Sequence, residues 1–195
     1  MAIPGVVCMA MGDNGTIHRQ HGVDKCPDRL YIKVMVNPHA QGYSDLPPYL
    51  QSHPVTGWLS ARGWSYHPHQ VETCAHAMAG RDVLLFAPTG AGKTLSGFLP
   101  SLVDLVEHEV PEHQLHTLYI SPLKALAVDV HRNLIRPIEE TGLEITVETR
   151  TGDTPASKRQ RQKTKPPHML MITPESLALL LSYEESDQYF KYLKY

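Results

Sequence analysis

From about Leu46 the chain alternates apolar runs of strand length with stretches of helical character. Asp82–Ala87, His116–Ser121 and His168–Thr173 read as buried strands. Glu144–Thr149 reads as a strand that alternates apolar and polar positions. Helical stretches are expected at Gln70–Met78, Lys93–His108, Leu123–Ile135 and Pro174–Ser182. Pro100 falls inside the second and, lacking an N–H, is expected to kink it or delay its regular part. Strand–helix alternation of this kind predicts an α/β fold in which helices flank a parallel sheet.

Residues 1–45 have a different texture. Turn formers such as Pro4, Gly5, Gly12, Asn14, Gly15 and Gly22 recur, and no period is sustained. The short run Leu30–Val36 is the one strand candidate there. Pro47-Pro48 marks a boundary, so the expected organisation is an irregular extension over 1–45, without an assigned role, followed by a domain over 46–195.

The first strand runs directly into Pro88-Thr-Gly-Ala-Gly-Lys-Thr94, and a helix follows. This fits the phosphate-binding P-loop pattern with Ala87 in its first position, then Pro88, Thr89, Gly90, Ala91, Gly92, Lys93 and Thr94. Gly90 and Gly92 let the backbone turn tightly enough for its N–H groups to converge on a phosphate, and the helix adds its positive end at the same point. Lys93 brings a fixed charge to the β- and γ-phosphates, and the Thr94 hydroxyl is a magnesium ligand. ATP with Mg2+ is therefore the expected cofactor. What its hydrolysis drives does not follow from the loop.

Composition narrows the picture. Charged residues make up 19% and hydrophobic residues 42%, an ordinary globular balance. The net charge of −2 gives no whole-chain argument for nucleic-acid binding, which must come from local patches. Cys8, Cys26 and Cys74 lie too far apart for a C-x-x-C pair and read as reduced thiols. The apolar start has no basic flank for a signal segment, and no stretch is long enough to span a membrane, so a cytoplasmic location is expected. His67, His69, His108, His113 and His116 have no cysteine partners and are expected on the surface.

Four further segments surround the P-loop in a fixed order: His67-Pro-His-Gln70, Ser121–Ala127, Thr149–Thr154 and Thr173–Ser176. This set resembles the first RecA-like domain of superfamily 2 DEAD/DEAH helicases. Ser121–Leu134 with Thr149–Gln162 is similar to the Lhr group, closest to the bacterial ligase-associated DNA-damage-response DEXH-box helicases. The resemblance covers about Leu46–Ser182. It implies an ATP-dependent DNA helicase of DNA repair, moving 3′-to-5′ on single-stranded DNA, with nucleoid association and repair ligases or nucleases as possible partners.

By that resemblance Gln70 reads the adenine edge, and Trp64 or Tyr66 stands near the base, with packing the plainer role for both. Ser121, Pro122 and Lys124 touch one DNA strand's backbone. Arg150, Thr151 and Gly152, with Asp153 beside them, form a later element of the same groove. Thr173 and Pro174 start a helix, Thr173 as its cap, whose N–H groups face a phosphate. Lys158, Arg159, Arg161, Lys163 and Lys165 form a basic run, suited either to DNA or to a solvated helix face.

The resemblance also says what the 195 residues do not contain. No D-E-x-H box follows Ser182; Glu184, Glu185 and Asp187 have no apolar strand before them. The second RecA-like domain with its arginine finger is absent as well. The expectation is an N-terminal part of the motor that binds nucleotide and hydrolyses it very slowly, with apolar strand edges left unpaired. The alternative reading is an inactive remnant that binds nucleotide or DNA without hydrolysis. A small kinase is the remaining P-loop option, but it has no use for Ser121–Ala127 or Thr149–Thr154.

Overall fold

The computed structural model describes residues 45–195, apart from Thr89 and Glu109 and the side chain of Leu126, and the backbones of two strands further upstream. These are β1 (Val7–Ala10) and β2 (Ile32–Met35); the remainder of the Leu30–Val36 run lies outside the described residues. The elements that follow are α1 (Pro48–Gln51), α2 (Pro54–Ser60), α3 (Pro68–Met78), β3 (Val83–Phe86), α4 (Lys93–Glu107), β4 (Thr117–Ile120), α5 (Lys124–Glu140), β5 (Val147–Arg150), α6 (Ala156–Thr164), β6 (Met169–Ile172), α7 (Pro174–Leu181) and α8 (Ser186–Tyr189).

The strands form two three-stranded parallel sheets, in the orders β1-β3-β2 and β4-β6-β5. The β3 strand is thus paired on both sides by strands drawn from residues 1–45. On β4, Leu118 N–H donates to Tyr195 O at 2.8 Å, and Lys194 and Tyr195 donate back to His116 O. Unpaired edges were expected at these strands. They are instead covered by the upstream strands and by the last residues of the chain.

β6 is buried along its whole length, which is why Met169–Ile172 is an unbroken apolar run rather than an alternating one. Met169 and Met171 face the main core, which holds Leu99, Leu102 and Val103 of α4 and Val130, Leu134 and Ile138 of α5. Leu170 and Ile172 point the other way, into a smaller cluster with Leu115 and Leu180.

Helices α4 and α5 each contain a proline. Helix α4 is continuous from Lys93 through Pro100, with no delayed start. The proline is buried among core residues, so packing offsets the hydrogen bond it cannot donate. Helix α5 runs past Ile135 through Pro137 to Glu140. Its C-terminal end is tied to α2 by Glu140, which accepts from Trp58 Nε1 at 2.7 Å and Arg136 Nε at 2.8 Å and also pairs with Arg62.

Candidate functional site: a nucleotide loop and a neighbouring sheet edge

The loop after β3 owes its shape to glycine. Gly90 has φ 83° and Gly92 has φ 72°, both in the left-handed region. Gly92 is also the cap residue of α4. A Cβ built on it would lie 2.5 Å from Gln70 Nε2, so any side chain there would displace the Gln70 amide. Lys93 folds back over the loop, its Nζ donating to Ala87 O at 2.6 Å and Pro88 O at 2.8 Å. Ala87 is buried, Pro88 is exposed, and Ala91 and Thr94 are half-buried. Thr89 lies outside the described residues.

Helix α3 supports the loop from below. Gln70 is 3% exposed and its amide is engaged at both ends: Oε1 accepts from His67 N–H at 2.9 Å, and Nε2 donates to Gly92 O at 3.2 Å. His69 Nε2 lies 2.8 Å from Ala91 O. Burial lowers the pKa of His69, against the pull of its bond to Ala91. His69 and His116 are therefore not the surface histidines the sequence suggested. His116 is buried against the Asp104 carboxylate at 2.7 Å. Burial opposes ionisation of Asp104, but hydrogen bonds from His116 and Lys194 outweigh it and hold the carboxyl at about 2. Among the described residues no cluster of metal-binding side chains is present.

A cavity of about 400 Å³ opens beside the loop, lined by Gln70, Gly90, Gly92 and Thr94 on one side and by Trp58, Trp64, Phe98 and Pro137 on the other. Trp64 is 57% exposed and stands edge-on to Trp58, with ring centroids 5.8 Å apart. Tyr66 is core: it is 2% exposed and its hydroxyl lies 3.0 Å from Thr56 Oγ1. The walls supplied by α5 and by Phe98 were not read from the sequence. The α5 residues lie about forty positions from the loop, and Phe98, though on the helix the loop starts, is marked by no local pattern.

The other sequence-predicted residues gather at one edge of the second sheet. The register sets Ile120 beside Ile172 and Ile172 beside Arg150, so the loops after β4, β6 and β5 leave from the same end. Ser121 is buried, and its hydroxyl exchanges bonds with the backbone of Leu123, shaping the turn into α5. Pro122 and Lys124 are exposed beyond it. Lys124 Nζ meets both carboxylate oxygens of Asp153 at 2.9 Å, which brings the β4 and β5 loops into contact beside Gly152. That partner of Lys124 lies 29 positions away and was not singled out for the role.

Arg150, Thr151 and Thr173 are buried, whereas Gly152 and Pro174 are exposed. Thr173 does stand before Pro174 at the start of α7, but its hydroxyl makes no cap bond and goes to Ser176 Oγ at 3.1 Å. The basic run lies mostly on α6. Lys158 and Arg161 there face Glu148 at 3.8 and 2.6 Å.

A glycine-shaped phosphate loop between a parallel strand and a helix, braced by a glutamine from the preceding helix, defines a P-loop nucleotide-binding domain. The profile of the DEAD/DEAH box helicases matches residues 67–195, and the chain belongs to that family. Its relatives include the ATP-dependent helicase Lhr-Core of Methanocaldococcus jannaschii, 38% identical over 78% of this chain and 20% of that protein. The Lhr helicase/probable uracil glycosylase of Mycolicibacterium smegmatis is 40% identical over 64% of this chain and 9% of its own length. Among solved structures, Mycobacterium smegmatis helicase Lhr bound to ssDNA and AMP-PNP superposes with a TM-score of 0.59 at 36% identity, over 71% of this chain and 19% of that one. The DUF1998 helicase MrfA bound to DNA and AMPPNP gives 0.67 at 27% identity, over 79% and 21%. The Lhr likeness expected from Ser121–Leu134 is thus met. The chain spans about a fifth, or less, of the length of these relatives.

Proposed function

We propose that this chain is the ATP-binding and nucleic-acid-binding part of an ATP-dependent DNA helicase of DNA repair. The observation that carries this reading is the Gly90–Gly92 loop, held open by positive φ and braced by Gln70 and His69. In this reading the loop N–H groups and Lys93 hold the β- and γ-phosphates. Lys93 exchanges two neutral carbonyl acceptors for charged oxygens, which strengthens its hydrogen bonds. The Thr94 hydroxyl would help hold magnesium beside the phosphates. Bound magnesium neutralises phosphate charge. The Gln70 amide keeps one N–H and one lone pair free for a purine edge, and Trp64 offers a face at the cavity mouth.

The sheet edge at Ser121, Lys124, Gly152 and Thr173 would take the sugar–phosphate backbone of a single DNA strand. Support comes from Lys124 and Gly152 meeting at one strand end, and from the DNA held by the solved relatives. Among the described residues no helix is long and apolar enough to cross a membrane, and a cytoplasmic, nucleoid-associated location fits this reading. Repair ligases or nucleases are the partners it implies.

A second reading is favoured by one observation: the 195 residues contain no D-E-x-H box. As purified, they would bind nucleotide and turn it over very slowly, since loss of an arginine finger alone costs about 10³–10⁵ in rate. Titration with a fluorescent ATP analogue, with and without magnesium, tests the nucleotide site. Wild type is expected to bind and Lys93→Ala to lose binding; equal binding by both would refute the site. An ATPase assay with single-stranded DNA then separates the readings, because DNA-stimulated turnover by this chain would exclude the inactive one.

A further inference from the structure

The basic run on α6 is divided by what it faces. Lys158 and Arg161 are paired with Glu148. Arg159 and Lys163 turn to the other side, where with Arg150 they line a cavity of about 240 Å³ between α6 and α7. Gln160, Ser176, Leu179 and Tyr183 contribute to its wall, and no carboxylate does.

Arg150 is 3% exposed, and its Nη1 donates to Arg159 O at 2.9 Å and Gln162 Oε1 at 3.4 Å. No acidic side chain pairs with it among the described residues. Glu148, on the same strand, is taken up by Arg161, Lys158 and Gln162. Arg159 Nε is buried without a hydrogen-bond partner. Lys163 Nζ sits 3.2 Å from the centroid of the Tyr183 ring. Burial depresses the pKa of Arg150, and Arg159 depresses it further, while the Tyr189 and Tyr183 phenols act the other way. Cations gathered in a partly dry space without a counter-charge are costly unless an anion completes the set.

The cavity adjoins the sheet edge already described. Thr173 N–H donates to Arg150 O at 3.4 Å, and Thr173 Oγ1 reaches Ser176 Oγ at the cavity wall. Guanidinium forks match phosphate oxygens, and the hydroxyl of Ser176 and the amide of Gln160 are uncharged donors beside them. We propose that the Arg150–Arg159–Lys163 cavity is a phosphate subsite that extends the nucleic-acid face, holding a backbone phosphate of the bound strand. This rests on the nucleic-acid reading above. Arg159 and Lys163 make the contact, and Arg150 supports them from beneath.

The test is fluorescence anisotropy of a labelled single-stranded oligonucleotide with the full chain across a salt series. In the Arg159→Gln/Lys163→Gln variant, affinity is expected to fall about tenfold and the log–log salt slope to drop by about 1. The Lys158→Gln/Arg161→Gln variant loses the same charge from the other side of α6, and its affinity should change by less than about threefold. If the two double variants weaken equally, or if neither weakens, the subsite is wrong. If Lys124→Ala weakens binding while Arg159→Gln/Lys163→Gln does not, the subsite falls and the nucleic-acid reading stands. If wild type does not bind the oligonucleotide, both fall. Inorganic phosphate separates the other source. A phosphate-dependent rise in melting temperature that is lost in Arg159→Gln/Lys163→Gln, with oligonucleotide binding unchanged, would mark a free-anion site and overturn the proposal. Circular dichroism checks the fold of each variant; where a double variant fails to fold, Lys163→Gln alone replaces the subsite variant and Lys158→Gln alone the control.

Discussion

Gly92→Ala is the most informative single change at the nucleotide loop, because two separate costs meet there. The left-handed conformation, φ 72° and ψ 24°, costs a residue with a Cβ roughly 1–2 kcal/mol. The new methyl would also stand 2.5 Å from Gln70 Nε2, which must swing away and lose its bond to Gly92 O, a further loss of about 0.5–1.5 kcal/mol. The loop relieves the strain by leaving the geometry that points its N–H groups inward, and nucleotide binding must restore it. The sum, about 1.5–3.5 kcal/mol, corresponds to a loss of affinity of roughly 10- to 400-fold. Titration with a fluorescent ATP analogue reads it directly. Adding Gln70→Ala isolates the steric part: with the amide gone, Gly92→Ala should cost only the conformational share, so the two changes must be less than additive. Affinity of Gly92→Ala within about twofold of wild type, or strict additivity in the double variant, would refute the reasoning.

Asp153→Asn frees the Lys124 ammonium and removes a carboxylate from the proposed nucleic-acid face. Since exposed ion pairs contribute about 0.2–1 kcal/mol, oligonucleotide binding should tighten by up to about fivefold, and weaker binding would contradict the assignment of Lys124. Leu102→Ala empties a fully buried position between α4 and its neighbours and should cost about 2–5 kcal/mol in urea unfolding, with little change in nucleotide affinity measured where the variant is folded. His53, His69 and His168 are all depressed, in each case first by burial, so the unfolded chain binds more protons than the folded one once pH drops below about 6.5. Their contribution to stability is intact above that pH and declines below it. Asp104, held at about 2, adds a further decline from the ordinary carboxylate range downward. Urea midpoints across this range should therefore fall steadily on acidification, and a rise between about pH 7 and 5 would contradict the burial of these imidazoles.

The sequence made some parts of the molecule legible and hid others for identifiable reasons. The loop could be read because glycine, lysine and threonine at fixed spacing leave the backbone few choices, and Gly90 and Gly92 took the positive φ the pattern demands. β3, β4 and β6 were visible as apolar runs. Helix α6 was not assigned, because Ala156–Thr164 has almost no apolar residue and so no period; Gln162 is its buried position, held by Glu148 and Thr149 O. β1 lay hidden among turn formers, where a four-residue strand leaves no periodic trace. The burial of Arg150 could not be foreseen from a charged residue in a polar segment, since it depends on α6 and α7 closing over it. The contacts of Gln70 with Gly92 and of Lys124 with Asp153 join positions 22 and 29 residues apart, a distance at which single-sequence patterns carry no information.

Helix α4 begins at Lys93 and reaches the Asp104–His116–Lys194 cluster at the other end. At 1.5 Å per residue, those eleven steps make a rod of about 16 Å. Its far end is fixed by a buried carboxylate gripped from two directions, by His116 just before β4 and by Lys194 near the last residue. One helix therefore ties the phosphate loop at its start to the edge of the second sheet at its end.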